Sequence, residues 1–205
     1  MAKRRTQTAA TVGVVESGNA AVLVTLTSDA EVLDRRRIEL TQGLPTHPHH
    51  HEGSWAIGRY KDSPWAREIS LAEALALVEQ VREAASLGAR TALAALAHSV
   101  RAPIARIALR TCPALPSTAE ARIADNRAQA VADSVMYREA LASAATARGW
   151  AVHWYDRERV FAAAASALGR KDLDAFLREL GRTLGPPWQA PHKLAVAAAL
   201  AAGER

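Results

Sequence analysis

From Thr11 to Thr27 the chain is nearly continuous Val, Leu, Ala and Thr, broken by Ser17-Gly18-Asn19. Apolar β-branched runs bounded by turn residues read as strands. The spacing predicts a hairpin of Thr11–Glu16 and Ala20–Thr27. Ser28-Asp29 makes a turn, and Val32–Leu40 is a third strand. Its Arg35-Arg36-Arg37 run suits a sheet edge with one wet face. From Ser70 the period changes. Ser70-Leu71-Ala72-Glu73 has the form of a capping box, and Leu71, Leu75, Val78 and Val81 share one helical face. This helix is expected to stop near Leu87-Gly88, with a second helical piece from Arg90 to His98.

Ile104–Arg110 is a buried strand candidate, and Pro113–Thr118 reads as a loop. Asp125 or Asn126 can cap a long helix that ends at Arg148-Gly149. Trp150–Tyr155 is a further strand. Helices follow at Asp156–Ala167 and Asp172–Leu184. Gly185-Pro186-Pro187-Trp188 interrupts the chain. A last helix then opens at Pro191, where the first turn tolerates proline, and runs to Ala202.

Short early turns predict three antiparallel strands. The later strand–helix–strand alternation predicts parallel strands joined by right-handed crossovers. The expected fold is therefore α/β, a mixed five-stranded sheet flanked by helices, with Thr11–Glu16 inside it. The domain reading is a flexible basic tail at 1–9 and one domain at 10–205. Within that domain, the long loop at 41–69 carries histidines and Trp55 and Trp65.

Composition changes this picture little. Hydrophobic residues make up 49 % of 205 and charged residues 23 %, which excludes a collagen-like or wholly disordered chain. A net charge of +5 permits binding to a polyanion without requiring it. The single cysteine, Cys112, excludes a disulfide framework and a cysteine-built zinc site within one chain. It reads as a buried thiol. The longest apolar helical run is too short to span a bilayer, and a soluble, cytoplasmic protein is expected. There is no phosphate loop, no G-x-G-x-x-G after a strand, no G-x-S-x-G and no H-E-x-x-H. These absences argue against triphosphate hydrolysis, dinucleotide redox chemistry and the common hydrolase classes.

Three segments in order carry a family resemblance. Val12-Gly13-Val14-Val15-Glu16-Ser17-Gly18 resembles the opening strand and turn of the ribonuclease-H-like superfamily, with Glu16 where a metal-binding Asp would stand. Asn126 to Gly149, then Trp150–Tyr155, then Arg157-Glu158-Arg159-Val160 resembles its long helix, short strand and following helix. His192-Lys193-Leu194-Ala195 onward resembles its final Ala-rich helix. Together they resemble the RuvC-type Holliday-junction resolvases over roughly 10–202. That resemblance implies a ribonuclease-H-like sheet, nucleic acid as partner, a homodimer, and carboxylates around Mg²⁺ or Mn²⁺. In such a site, two metals about 4 Å apart assist phosphodiester cleavage. The acidic set is incomplete here. The fourth strand ends Leu109-Arg110-Thr111-Cys112, and the last helix offers His192 and Lys193.

The candidate catalytic residues are Glu16 and His192, with Glu16, His192 and Glu139 as metal ligands. Glu120 and Asp125 are weaker substitutes for the missing middle acid, and Asp125 serves better as a helix cap. Arg35, Arg37, Arg157, Arg159 and Lys193 are the candidate nucleic-acid contacts. Glu16 has a plainer reading as a strand-end carboxylate paired with an arginine. Tyr137-Arg138 reads as a solvated helix face, with phosphate contact as the alternative. His47, His49, His50, His51 and Glu52 form an imidazole-rich loop. It suits a transition metal, a general acid–base group beside Glu16, or simple exposure. Two functions follow. One is a nucleic-acid-binding protein that acts as a metal-dependent nuclease or resolvase. The other is an inactive module of the same fold that binds nucleic acid or a protein. A metal-binding protein built on the histidine loop is a third.

Overall fold

A computed structural model describes residues 9–49, 69–169 and 172–203. The strands are β1 (Ala10–Ser17), β2 (Ala20–Leu26), β3 (Val32–Glu39), β4 (Ile104–Arg110) and β5 (Ala151–Tyr155). The helices are α1 (Leu71–Ser99), α2 (Ala119–Ala124), α3 (Asn126–Thr146), α4 (Val160–Leu168), α5 (Leu173–Leu184) and α6 (Ala190–Ala202). Among the described residues the sheet has five strands, in the order β3-β2-β1-β4-β5. β1 pairs antiparallel with β2, and β2 with β3. β1–β4 and β4–β5 are parallel. This is the mixed sheet that the connection lengths imply, with β1 central and the arginine-rich β3 at an edge.

The period-2 alternation of β1 sorts its side chains between two layers. Val12 and Val14 pack with Val81, Ala85, Leu93 and Leu96 of α1 and with Met136, Tyr137 and Leu141 of α3. Val15 packs on the opposite cluster, built from α4, α5 and the buried alanines of α6. Gly13 faces α6 too. A Cβ there would lie 1.8 Å from the Ala195 carbonyl oxygen and 2.8 Å from the Ala199 nitrogen. The glycine and the small residues of α6 therefore let helix and sheet backbones meet closely. This is how a chain with few aromatic residues fills its core.

Three element boundaries differ from expectation. α1 runs unbroken through Gly88, so the stop at Leu87-Gly88 and the separate second piece do not exist. A Cβ on Gly88 would lie 2.1 Å from the Leu40 carbonyl oxygen, so this glycine serves close packing and not chain reversal. The short helix α2, capped by the Thr118 side chain, precedes the long helix. α4 begins at Val160, after a turn at Asp156 whose carboxylate accepts from the Glu158 N–H. The caps at Ser70 and Asp125 form as the sequence implies. Ser70 and Glu73 bond reciprocally, and Asp125 accepts from the N–H groups of Arg127 and Ala128.

No helix among the described residues is long and apolar enough to cross a membrane. Trp55, Trp65, His50, His51, Glu52, the basic Lys3-Arg4-Arg5 tail and Arg170-Lys171 lie outside the described residues.

Candidate nucleic-acid interface

The C-terminal ends of β1, β4 and β5 meet the start of α6, the region where open α/β sheets usually bind ligands. Glu16 stands there in the same strand phase as Val12 and Val14, so its side chain turns toward α3. Its Oε1 accepts from Arg138 Nε at 2.7 Å and lies 2.5 Å from Nη2 of the same guanidinium. Both side chains are buried, at 6 % and 5 % exposure. A third donor of Arg138, Nη1, reaches the Thr111 carbonyl at 3.1 Å, tying α3 to the segment after β4. Arg138 and Tyr137 were expected on a solvated helix face. Both are buried, because that side of α3 packs against the sheet and α1. The pairing of Glu16 with an arginine is the plainer of its two sequence readings.

His192 lies in the opposite layer. It is the third residue of α6, and its Nδ1 accepts the Gln189 N–H at 3.2 Å. Its ring stacks on Trp188 with centroids 6.0 Å apart. Burial, then the charge of Arg35, holds the imidazole below its usual pKa, against the pull of the Gln189 hydrogen bond. His192 lines a cavity of about 380 Å³ with Val15, Ser17, Arg35, Arg36 and Arg37. Glu16 borders a different one, of about 340 Å³, with Arg110, Arg157, Ala190 and Pro191. Strand alternation turns Glu16 toward α3, while His192 sits at the start of α6 in the other layer.

The other candidate residues divide in the same way. Glu139 follows Arg138 on α3 and is exposed. Arg35 donates to the carbonyls of Gly185 and Pro187 at 2.9 and 2.7 Å, clamping the turn before α6. Arg37 is exposed beside it on β3. Arg159 is exposed and 4.0 Å from Asp156, while Lys193 is half-buried at the start of α6. Arg157 lines the cavity beside Glu16. Arg110, absent from the sequence-derived candidates, lines it too. The signal was present: Arg110 ends a strand parallel to β1, so it must arrive at the same sheet end.

Part of the histidine loop packs on α3. His49 is buried, and both its N–H and its Nδ1 contact Asp133 Oδ1, at 3.1 and 2.7 Å. His47 Nδ1 lies 3.7 Å from Oδ2 of the same carboxylate. The Tyr137 hydroxyl donates to the Thr46 carbonyl at 2.9 Å. Burial opposes ionisation of Asp133, but hydrogen bonds from His47 and His49 and the charge of His49 outweigh it. The carboxyl is held below its usual range. Burial pushes the Tyr137 phenol up to about 12. The half-buried Cys112 thiol is also raised, by burial first, with Arg138 opposing.

A hard divalent ion needs several anionic oxygens facing one point. Glu16 is turned to Arg138, Glu139 is exposed, and His192 Nδ1 accepts a backbone N–H. Among the described residues, no group of three or more His, Cys, Asp or Glu side chains is placed to hold a metal ion. The described candidate ligands Glu16, Glu139 and His192 do not fit Mg²⁺ or Mn²⁺.

Solved structures similar to this fold include two of RuvC. RuvC of T. thermophilus in complex with a Holliday junction substrate matches with a TM-score of 0.54 and 12 % identity. The alignment covers 94 % of this chain and 91 % of that one. The Thermus thermophilus RuvC structure matches with a TM-score of 0.51 and 11 % identity, over 94 % and 92 % of the two chains. The fold is ribonuclease-H-like. The shared fold extends over nearly the whole chain, in agreement with the order of the three sequence segments. No family model and no curated protein matches the sequence.

Proposed function

We propose that this chain is a nucleic-acid-binding protein of the ribonuclease-H-like fold that binds without metal-dependent cleavage. The observation that carries this reading is the buried Glu16–Arg138 pair. A guanidinium occupies the carboxylate at the end of the central strand and supplies the positive charge that a cation would otherwise bring. The nuclease reading needs that carboxylate free and further acids beside it. The binding half rests on the cationic residues at the same sheet end, Arg110, Arg157, Arg35 and Arg37. It is also supported by the fold shared with a resolvase solved on a Holliday junction. A homodimer, as the resemblance implies, is part of the proposal and is read by sedimentation.

The test is incubation of the protein with junction, duplex and single-stranded DNA, in Mg²⁺ or Mn²⁺ and in chelator, beside Glu16→Gln. The expected result is binding that weakens steeply with salt, is indifferent to chelator and leaves the strands intact. Metal-dependent cleavage lost in Glu16→Gln would restore the nuclease. Absence of binding at low salt would leave the protein-interaction module as the better account.

A further inference from the structure

The cavity of about 340 Å³ between the ends of β1, β4 and β5 and the start of α6 has a mixed lining. Arg110 and Arg157 supply cationic groups, Phe161 an aromatic ring, and Val15, Pro191 and Leu194 an apolar floor. Both arginines also border the neighbouring cavity of about 730 Å³ that holds Thr111, Cys112 and Ser134. Arg110 is half-buried and Arg157 exposed. Neither guanidinium has a hydrogen-bond or ion-pair partner among the described residues, in contrast to Arg35, Arg36 and Arg138. Phe161 is 40 % exposed, so its ring is open to a ligand. The Glu16 carboxylate on the rim would repel an anion, but Arg138 neutralises it. Asp156, on the neighbouring rim, directs Oδ1 to the Glu158 N–H. The positive end of the α6 dipole points the same way, because Ala190 and Pro191 line the cavity.

We propose that this cavity holds one nucleotide of a single-stranded segment. Arg110 and Arg157 grip its phosphate, and its unpaired base lies against Phe161. The inference rests on the nucleic-acid-binding reading and gives it a place and a substrate class. A guanidinium matches phosphate oxygens in a fork geometry, and two of them line this cavity. A partly exposed ring beside them is the platform on which unstacked bases pack. The volume is at the lower end of that of small-ligand pockets, enough for one nucleotide and too small for a duplex. A base buried in a duplex cannot reach Phe161, so the site favours strands with unpaired bases.

The experiment is fluorescence anisotropy with a labelled oligothymidylate, the same strand with abasic positions, and thymidine monophosphate as the free-nucleotide probe. The variants are Arg110→Gln, Arg157→Gln and Phe161→Ala, with Arg90→Gln on α1, in the opposite layer, as control. Equal melting temperatures verify that the variants fold. Each cavity arginine variant is expected to bind about tenfold more weakly at low salt. Each should also flatten the log–log salt slope by about 0.7. Phe161→Ala is expected to weaken oligothymidylate binding about tenfold and to leave the abasic strand unchanged. Arg90→Gln should match the native protein. Strand binding by the native protein that all three cavity variants leave unaltered would overturn the cavity assignment while the binding reading stands. No strand binding at low salt would overturn both. Thymidine monophosphate binding as tightly as the strand would make the occupant a free nucleotide and overturn the assignment to a strand.

Discussion

Replacement of Arg138 by Met is the sharpest probe of the fold and site together. The substitution keeps much of the aliphatic stem and removes the guanidinium. Glu16, at 6 % exposure, then carries a buried charge with its Arg138 partner gone. Breaking a buried pair from one side typically costs about 3–5 kcal/mol, because the stranded ion cannot recover its hydration. Loss of the 3.1 Å bond to the Thr111 carbonyl adds about 1 kcal/mol. For a chain of 205 residues each kcal/mol moves the melting temperature by about 2–4 °C. A fall of roughly 8–24 °C is therefore expected. Glu16→Leu, which strands the guanidinium instead, should cost a similar amount. The double variant Glu16→Leu/Arg138→Met removes both charges and should lie within about 2 kcal/mol of the native protein. Urea unfolding at neutral pH, read from the midpoint at constant slope, closes the cycle. An Arg138→Met cost under about 1 kcal/mol, or a double variant that loses the sum of the singles, would show that Glu16 and Arg138 are not a coupled buried ion pair.

Other expectations follow from the same geometry. Gly13→Ala would drive its Cβ to 1.8 Å from the Ala195 carbonyl, a backbone atom. A loss of more than about 3 kcal/mol is expected, against the usual 1–3 for overpacking, and denaturant unfolding measures it. Asp133 is held below its usual pKa when folded, so its contribution is present above the unfolded value of about 3.9. It is lost as pH falls through the folded value. Asp133→Asn should flatten the acid side of the stability profile below about pH 4 and cost about 1–3 kcal/mol at neutral pH. His192 is depressed also, so the unfolded chain binds its proton first. Stability should fall as pH drops below about 6.5 and level off beneath the folded value. His192→Gln should remove that step from a pH series of thermal melts.

The sheet was legible in the sequence because its information is local. Turn residues at Gly18-Asn19, period-2 runs and helix-length crossovers determine strand direction and order with few alternatives. The caps at Ser70 and Asp125 are likewise short-range chemistry, and so readable. Gly88 was misread because a helical glycine that admits a neighbouring backbone looks, in sequence, like one that ends a helix. The site was only half legible. That Glu16 and Arg110 end neighbouring strands follows from the sequence. Which face each occupies, and that Arg138 arrives from a helix 122 residues away to claim Glu16, does not. Charge pairing over such separations depends on the rotation of α3 about its own axis. That rotation is set by the packing of Met136, Tyr137 and Leu141 against the sheet, and no local pattern in the chain encodes it.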